Sequence, residues 1–319
     1  MALTTPAAQV GAIVPEQVRR QLTGRRSDTA GRIFQAVLIG AVAASVAVLG
    51  VLVYDMVQTG SGTLTGRLGD FLTGSLRSQP GESGLLQGLR GTFYIGVFTV
   101  VFAFPIGVGA AIYLEEYASK SRLSRFIDLN IRNLAGVPSV VYGILGLAIF
   151  VKALGGLTGP SSQGRSLISA GLTLAILVLP IVIITASEAL RAVPGSLREA
   201  GYGVGATRWE VTRDHVLPYA APGILTGTVL ALARAMGEAA PLILVGAVTG
   251  FLSGGTELDP TTLGDRFTAM PIIITTWAGR PGPEWEQATA AAIVVLLVVV
   301  LLANAVAILL RNHYEKKRG

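Results

Sequence analysis

Cysteine is absent from the 319 residues, and histidine occurs only at His215 and His313. Disulfides, thiolate catalysis and Cys-ligated zinc or iron–sulfur sites are thereby excluded, and two isolated histidines do not make a metal centre. Charge is scarce too, at 14% of residues, against about 25% in an ordinary soluble domain. None of the four lysines (Lys120, Lys152, Lys316, Lys317) follows a glycine. Accordingly no G-x-x-x-x-G-K-[ST] phosphate loop is present, and neither G-x-S-x-G nor H-E-x-x-H occurs. A self-sufficient ATPase and a hydrolase are both ruled out, and no cofactor or metal is expected in this chain.

Apolar residues are abundant: 51% of the chain is hydrophobic and mean hydropathy is +0.61. Six runs come near the roughly 20 residues that cross a hydrocarbon core: 33–54, 91–114, 134–154, 167–187, 219–249 and 287–310. The first is too long for the apolar region of a cleaved signal peptide, so an uncleaved span follows a polar tail over 1–32. Residues 311–319 form a second tail. The stretch Pro271–Trp277 is too short to cross and reads as interfacial or re-entrant, with Trp277 and Trp285 at headgroup depth.

Six spans put both termini and the second and fourth loops on one side. That side carries seventeen Lys and Arg and the other six, which places both termini in the cytoplasm. The net charge of +6 therefore reflects topology and not nucleic acid. Lys152 reads as snorkelling from the end of the third span. Prolines at 105, 138, 180, 222 and 241 lie in or beside spans and predict bent helices.

The loop from Glu188 to Leu217 holds two S/T-x-x-E signatures, Ser196 to Glu199 and Thr207 to Glu210. Each predicts a capped helix start. Gly203 and Gly205 between them suit a left-handed turn, and Leu217-Pro218 is expected to end the second helix. A helix-turn-helix on the cytoplasmic face results. Its four arginines are matched by Glu188, Glu199, Glu210 and Asp214, so a protein-docking surface fits better than a DNA reader.

Within this loop, Glu199-Ala200-Gly201, three residues, Gly205, nine residues and His215-Val216-Leu217-Pro218 resemble the EAA loop of ABC-importer permeases. Gly201 stands for the pattern's third Ala and His215 for its Ile. Further segments narrow the resemblance to the permease subunits of phosphate-specific ABC importers: Leu114-Glu115-Glu116-Tyr117-Ala118, GVPSVVYG from Gly136 to Gly143, LTLAILVLP ending at Pro180, EALRAVP from Glu188 to Pro194, PGILTG, and ARAMGEAAPL up to Leu242. Ala239 stands where that family more often has Thr. The resemblance covers about 85–310.

The resemblance implies an all-α membrane protein of the type I importer permease fold, in a prokaryotic inner membrane, with a coupling helix set in a groove of a separate ATPase. It assigns the ATPase contact to Ser196, Arg198, Glu199, Ala200, Gly201, Gly205, Thr207 and Arg208. The implied partners are a similar second permease, two ATPase copies that bind ATP-Mg, an extracytoplasmic phosphate-binding protein and lipid. Two family alternatives stay open: the partner permease itself, or a permease for sulfate or molybdate. A secondary transporter is disfavoured, because Glu238 is the one acidic residue well inside a span and lies beside an arginine.

Arg234 within the fifth span costs about 2.5 to 3.5 kcal/mol even on the lenient insertion scale, so it must face protein or a watery cavity. Glu238, four residues on, shares its helix face. Either the two form a self-neutralising pair that locks helices, or Arg234 offers donors to a phosphate oxygen while Glu238 limits how tightly the anion is held. Arg191, ending the fourth span, has two readings as well: an ordinary positive-inside charge, or a place on the exit path.

Overall fold

The computed structural model describes residues 29–119, 121–248 and 263–316. The expectations for most of the N-terminal tail, for Lys120, for residues 249–262 and for the last three residues lie outside the described residues. The chain divides into two units, Met1–Tyr54 and Asp55–Gly319.

In the first unit, helix α1 (Thr29–Gly66) begins and runs to the unit's end. None of its residues from 29 to 54 is buried. An apolar helix exposed on every side suits lipid as its solvent.

The second unit holds the remainder of α1 and then α2 (Leu68–Thr73), α3 (Leu86–Ile112), α4 (Arg122–Ala135), α5 (Ser139–Gly146), α6 (Leu167–Arg191), α7 (Gly195–Gly203), α8 (Arg208–Val211), α9 (Leu217–Gly237), α10 (Ala240–Val245), α11 (Met270–Ala278) and α12 (Pro283–Lys316). No strand occurs among the described residues. Wider π turns extend α3 over Tyr113–Tyr117, extend α5 over Leu147–Ala153, and join α8 to α9 over Thr212–Val216. Among the described residues five helices are long and apolar enough to cross a membrane, and α4 with the extended α5 forms a pair bent by 100°, the geometry of a broken span or a re-entrant loop.

The central element is α6, with most of its side chains buried. Leu174, Val178 and Val182 pack into one core with Ile95, Ala231 and Leu242. Buried hydroxyls turn back onto their own helices: Thr173 donates to the Ser169 carbonyl at 2.7 Å and Thr99 to the Ile95 carbonyl at 2.8 Å. These two hydroxyls are thus satisfied without water.

Two spans differ from the apolar runs. The third is not one straight helix over 134–154. Helix α4 stops at Ala135 and α5 starts at Ser139, bent by 100°. Pro138 explains the break, since it lacks an N–H and disfavours helical backbone at Val137. The fifth run, 219–249, breaks after Gly237, and Glu238 is extended at φ −81° and ψ 117°. Here the ring of Pro241 would collide with the Gly237 carbonyl four residues earlier. At Leu217-Pro218 the expected helix end does not occur. The π turn at Thr212–Val216 absorbs the proline, and the helix runs unbroken from Arg208 to Gly237.

The short stretch at Pro271 is a separate helix, α11, and within it Trp277 is buried. It is 1% exposed, with ring centroids 6.3 Å from Phe71 and 5.5 Å from Trp285. Apolar neighbours from α2 and α12 bury it.

Candidate functional site

The loop between α6 and α9 folds as two short helices, but only one start follows the sequence signature. At the second, Thr207 Oγ1 accepts from the Glu210 N–H at 3.3 Å, and Glu210 Oε2 accepts from the Thr207 N–H at 2.7 Å. The reciprocal box expected there is complete. Thr207 Oγ1 also donates to Glu210 Oε2 at 2.8 Å, and the two bonds that reach the exposed Glu210 carboxyl, from the Thr207 backbone N–H and then from its hydroxyl, hold it below its usual range.

The first box does not form. Pro194 occupies the N-cap at φ −57° and ψ 136°, α7 begins at Gly195, and no side chain caps it. Ser196 falls one residue inside the helix. The same geometry begins α5, where Pro138 is the N-cap at φ −56° and ψ 138°. Both prolines follow a valine, so the Val-Pro pair was the readable signal. In the turn, Gly205 has φ +84° as expected, whereas Gly203 ends α7 without a positive φ.

Packing explains Gly201 better than helix propensity does. It is buried, and a Cβ added there would lie 2.7 Å from Val211 Cγ2. The glycine lets α7 close onto α8.

Two adjacent glutamates in the π turn after α3 hold the loop to the bundle. Glu115 pairs with Arg191 at 2.7 Å. Glu116 pairs with Arg198 at 2.7 Å, with the carboxylate side chain only 5% exposed. Arg198 also donates to the carbonyls of Val193 and Leu190, both at 2.9 Å. Its charge is therefore spent inside the chain and does not face outward. The pairing of LEEYA with EALRAVP was not anticipated, although both segments had been singled out.

Of the remaining assigned residues, Glu199, Ala200, Thr207 and Arg208 are exposed. The Arg208 guanidinium lies 5.6 Å from the centroid of the Tyr117 ring. Tyr202, Val204 and Trp209 are exposed alongside them. The three make an exposed apolar patch on a short knob.

Of the candidate pathway charges, Arg234 and Glu238 are brought together and Arg191 is not. Arg234 Nε is 3.5 Å from Glu238 Oε1, and the arginine side chain remains half-exposed. The pair sits at the break after α9, roughly 25 Å along the helix from Leu217. Arg191 lies at the opposite, coupling-loop end, held by Glu115 and, at 3.7 Å, by Asp128. Beyond the break, α10 packs on α5, where a Cβ on Gly143 would come 2.7 Å from Pro241 Cα. The motifs GVPSVVYG and ARAMGEAAPL thus meet at one backbone contact. No cluster of three or more candidate metal ligands is found among the described residues.

Comparison with known proteins gives the chain relatives. A probable ABC transporter permease protein, YqgI of Bacillus subtilis, is 34% identical over 60% of this chain and 62% of its own length. A phosphate transport system permease protein PstC of Mesorhizobium japonicum is 35% identical over 49% of this chain and 53% of its own. A phosphate transport system permease protein PstA of Xylella fastidiosa is 30% identical over 72% of this chain and 76% of its own. The chain thus spans less than two thirds of the first two. A crystal structure of a bacterial alginate ABC transporter contains a chain with the same fold, at a TM-score of 0.60, 18% identity, and coverage of 90% of this chain and 94% of that one. The model for binding-protein-dependent transport system inner membrane components matches residues 103–318. More than half of the sequence carries that signature, and the chain belongs to that family.

Proposed function

We propose that this chain is the PstA-type permease subunit of an ATP-driven phosphate importer. In this reading it forms half of the translocation pathway and has no catalytic residues of its own. The single observation that carries the permease role is the α7–α8 knob, tied inward by Arg198 to Glu116 while Glu199, Tyr202, Val204 and Trp209 face out. Phosphate as the substrate is supported by the printed names of the relatives. The assembly contains a PstC-like permease, a PstB-like ATPase dimer that binds ATP-Mg, and a PstS-like phosphate-binding protein. Both termini lie in the cytoplasm, following the charge bias, and the knob on that side meets the ATPase.

At the break after α9, Arg234 donates to a phosphate oxygen while Glu238 keeps the net attraction weak, so that the anion leaves as readily as it enters. Glu238 also accepts the proton that hydrogen phosphate carries and sulfate lacks. Arg191 stands at the exit end of α6, its charge shared with Glu115 and Asp128.

Affinity purification of the tagged chain is expected to retain an ATPase subunit, and Glu199→Arg or Trp209→Ala to release it. Uptake of labelled phosphate by vesicles holding the purified assembly should require ATP inside the compartment that faces the knob. Retention of the ATPase by both variants, or uptake without ATP, would overturn the proposal.

A further inference from the structure

Helix α4 (Arg122–Ala135) differs from its neighbours. None of its residues is buried. Leu123, Phe126, Leu129 and Leu134 are between 47% and 67% exposed. At 100° per residue, Leu123, Phe126, Ile127 and Leu134 fall on one side, and Arg125, Asp128 and Arg132 on the other. The 100° bend into α5 decides how this helix lies. With α5 as the arm that enters the bilayer, a bend of that size only four residues after α4 ends sets α4 nearly parallel to the membrane surface.

The polar side of α4 borders a cavity of about 590 Å³ lined by Glu115, Ser121, Ser124, Arg125, Asp128 and Arg191 among others. Its two carboxylates are already answered. Glu115 holds Arg191 at 2.7 Å, and Asp128 accepts from Arg132 at 3.1 Å. Arg125 has no carboxylate partner among the described residues, and Arg122 lies one turn away on the same helix. The balance of the polar face is positive, beside an apolar face with nothing covering it.

We infer that α4 is an anionic-lipid-binding helix, with its apolar face in the acyl boundary and Arg125 engaging a headgroup phosphate at the mouth of the cavity. Amphipathic helices with basic polar faces bind membrane surfaces through these two contributions. Each basic residue near an anionic surface strengthens binding about fivefold, an effect that fades with added salt. The inference needs only that the chain spans a bilayer, and stands whether or not the transported anion is phosphate.

The absence of cysteine makes the test direct. Single substitutions Phe126→Cys and Arg132→Cys, each in the full chain with its co-purified subunits, are labelled with an environment-sensitive fluorophore. The proteins are reconstituted in vesicles of phosphatidylcholine with or without phosphatidylglycerol. The probe at 126 is expected to be quenched by lipid spin-labelled near the carbonyl end and shielded from iodide, and the probe at 132 to show the reverse. Phosphatidylglycerol retained through detergent washing should fall about fivefold in Arg125→Gln. Adding inorganic phosphate at constant ionic strength should leave that retention unchanged.

Iodide quenching at 126 equal to that at 132 would overturn the inference. So would shielding at 126 that vanishes when the second permease is removed, which would make the occupant a protein. Displacement of the lipid by inorganic phosphate would also refute it. Phe126 and Arg125 are both exposed, so neither substitution empties the core.

Discussion

Replacing Glu116 with Gln tests whether the coupling knob is held by one internal ion pair. The Glu116 carboxylate is 5% exposed and meets Arg198 through Nη2 at 2.7 Å and through Nε at 3.2 Å. Breaking a buried pair by removing one partner costs about 3 to 5 kcal/mol. The Arg198 side chain, however, is 23% exposed and keeps two carbonyl acceptors, so about 2 to 3 kcal/mol is the appropriate range. That range corresponds to roughly 30- to 150-fold faster amide exchange through local opening. Hydrogen exchange should show the acceleration over Gly195–Gly203, with the middle of α6 unchanged. In a double-mutant cycle, adding Arg198→Met to Glu116→Gln should cost much less than the sum of the single changes. Unchanged exchange over α7, or strict additivity, would refute the idea that this pair holds the loop.

Gly201→Ala should destabilise α7–α8 despite the better helix former, because its Cβ would meet Val211 at 2.7 Å; Val211→Ala in the same chain should restore the loop's proteolytic resistance. Thr207→Ala removes the hydroxyl that caps the Glu210 N–H while leaving the backbone N–H of residue 207 to donate to Glu210, and should cost about 1 kcal/mol, read as faster exchange confined to Arg208–Val216. Gly205→Ala, at φ +84°, should cost about 1 kcal/mol in the same assay. For the pathway, Glu238→Gln should narrow the preference of uptake for phosphate over sulfate with the binding protein bypassed, and an unchanged preference would remove Glu238 as the discriminator.

Much of the bundle was legible because lipid imposes a simple rule: uninterrupted apolar length becomes helix. The runs at 91–114, 167–187 and 287–310 accordingly sit inside α3, α6 and α12. Prolines 138 and 241, expected to bend helices, break them outright. Pro241 ends α9 through Gly237, and Pro138 separates α4 from α5. At Pro218 the neighbouring π turn lets the helix pass, and no local sequence rule announces a π turn. The burial of Trp277 was not legible, because Phe71, which helps to enclose the ring, lies far from it in the chain. The coupling loop was legible as two helices, since caps and turns are local. Its attachment was not, because the pairs Glu115 with Arg191 and Glu116 with Arg198 span 76 and 82 residues.

That attachment places the irregular backbone where it has a mechanical use. A π turn carries more residues per turn than an α-helix, so its side chains leave the faces that an α-helix would give them. In Tyr113–Tyr117 this lets Glu115 and Glu116, neighbours in sequence, reach two different arginines, one ending α6 and one inside α7. Another π turn, Thr212–Val216, carries the knob's other helix into α9 without a joint. A push on the knob is therefore passed on in two directions. Through α8 and the π turn it runs along α9 toward Arg234 and Glu238, and through Arg198 and Glu116 it reaches α3. A loop attached by only one of these would swing when pushed. With both intact, displacement of α7 must move α3 and α9 together, and cutting the Glu116 link should leave ATPase binding in place while lowering transport per ATP hydrolysed.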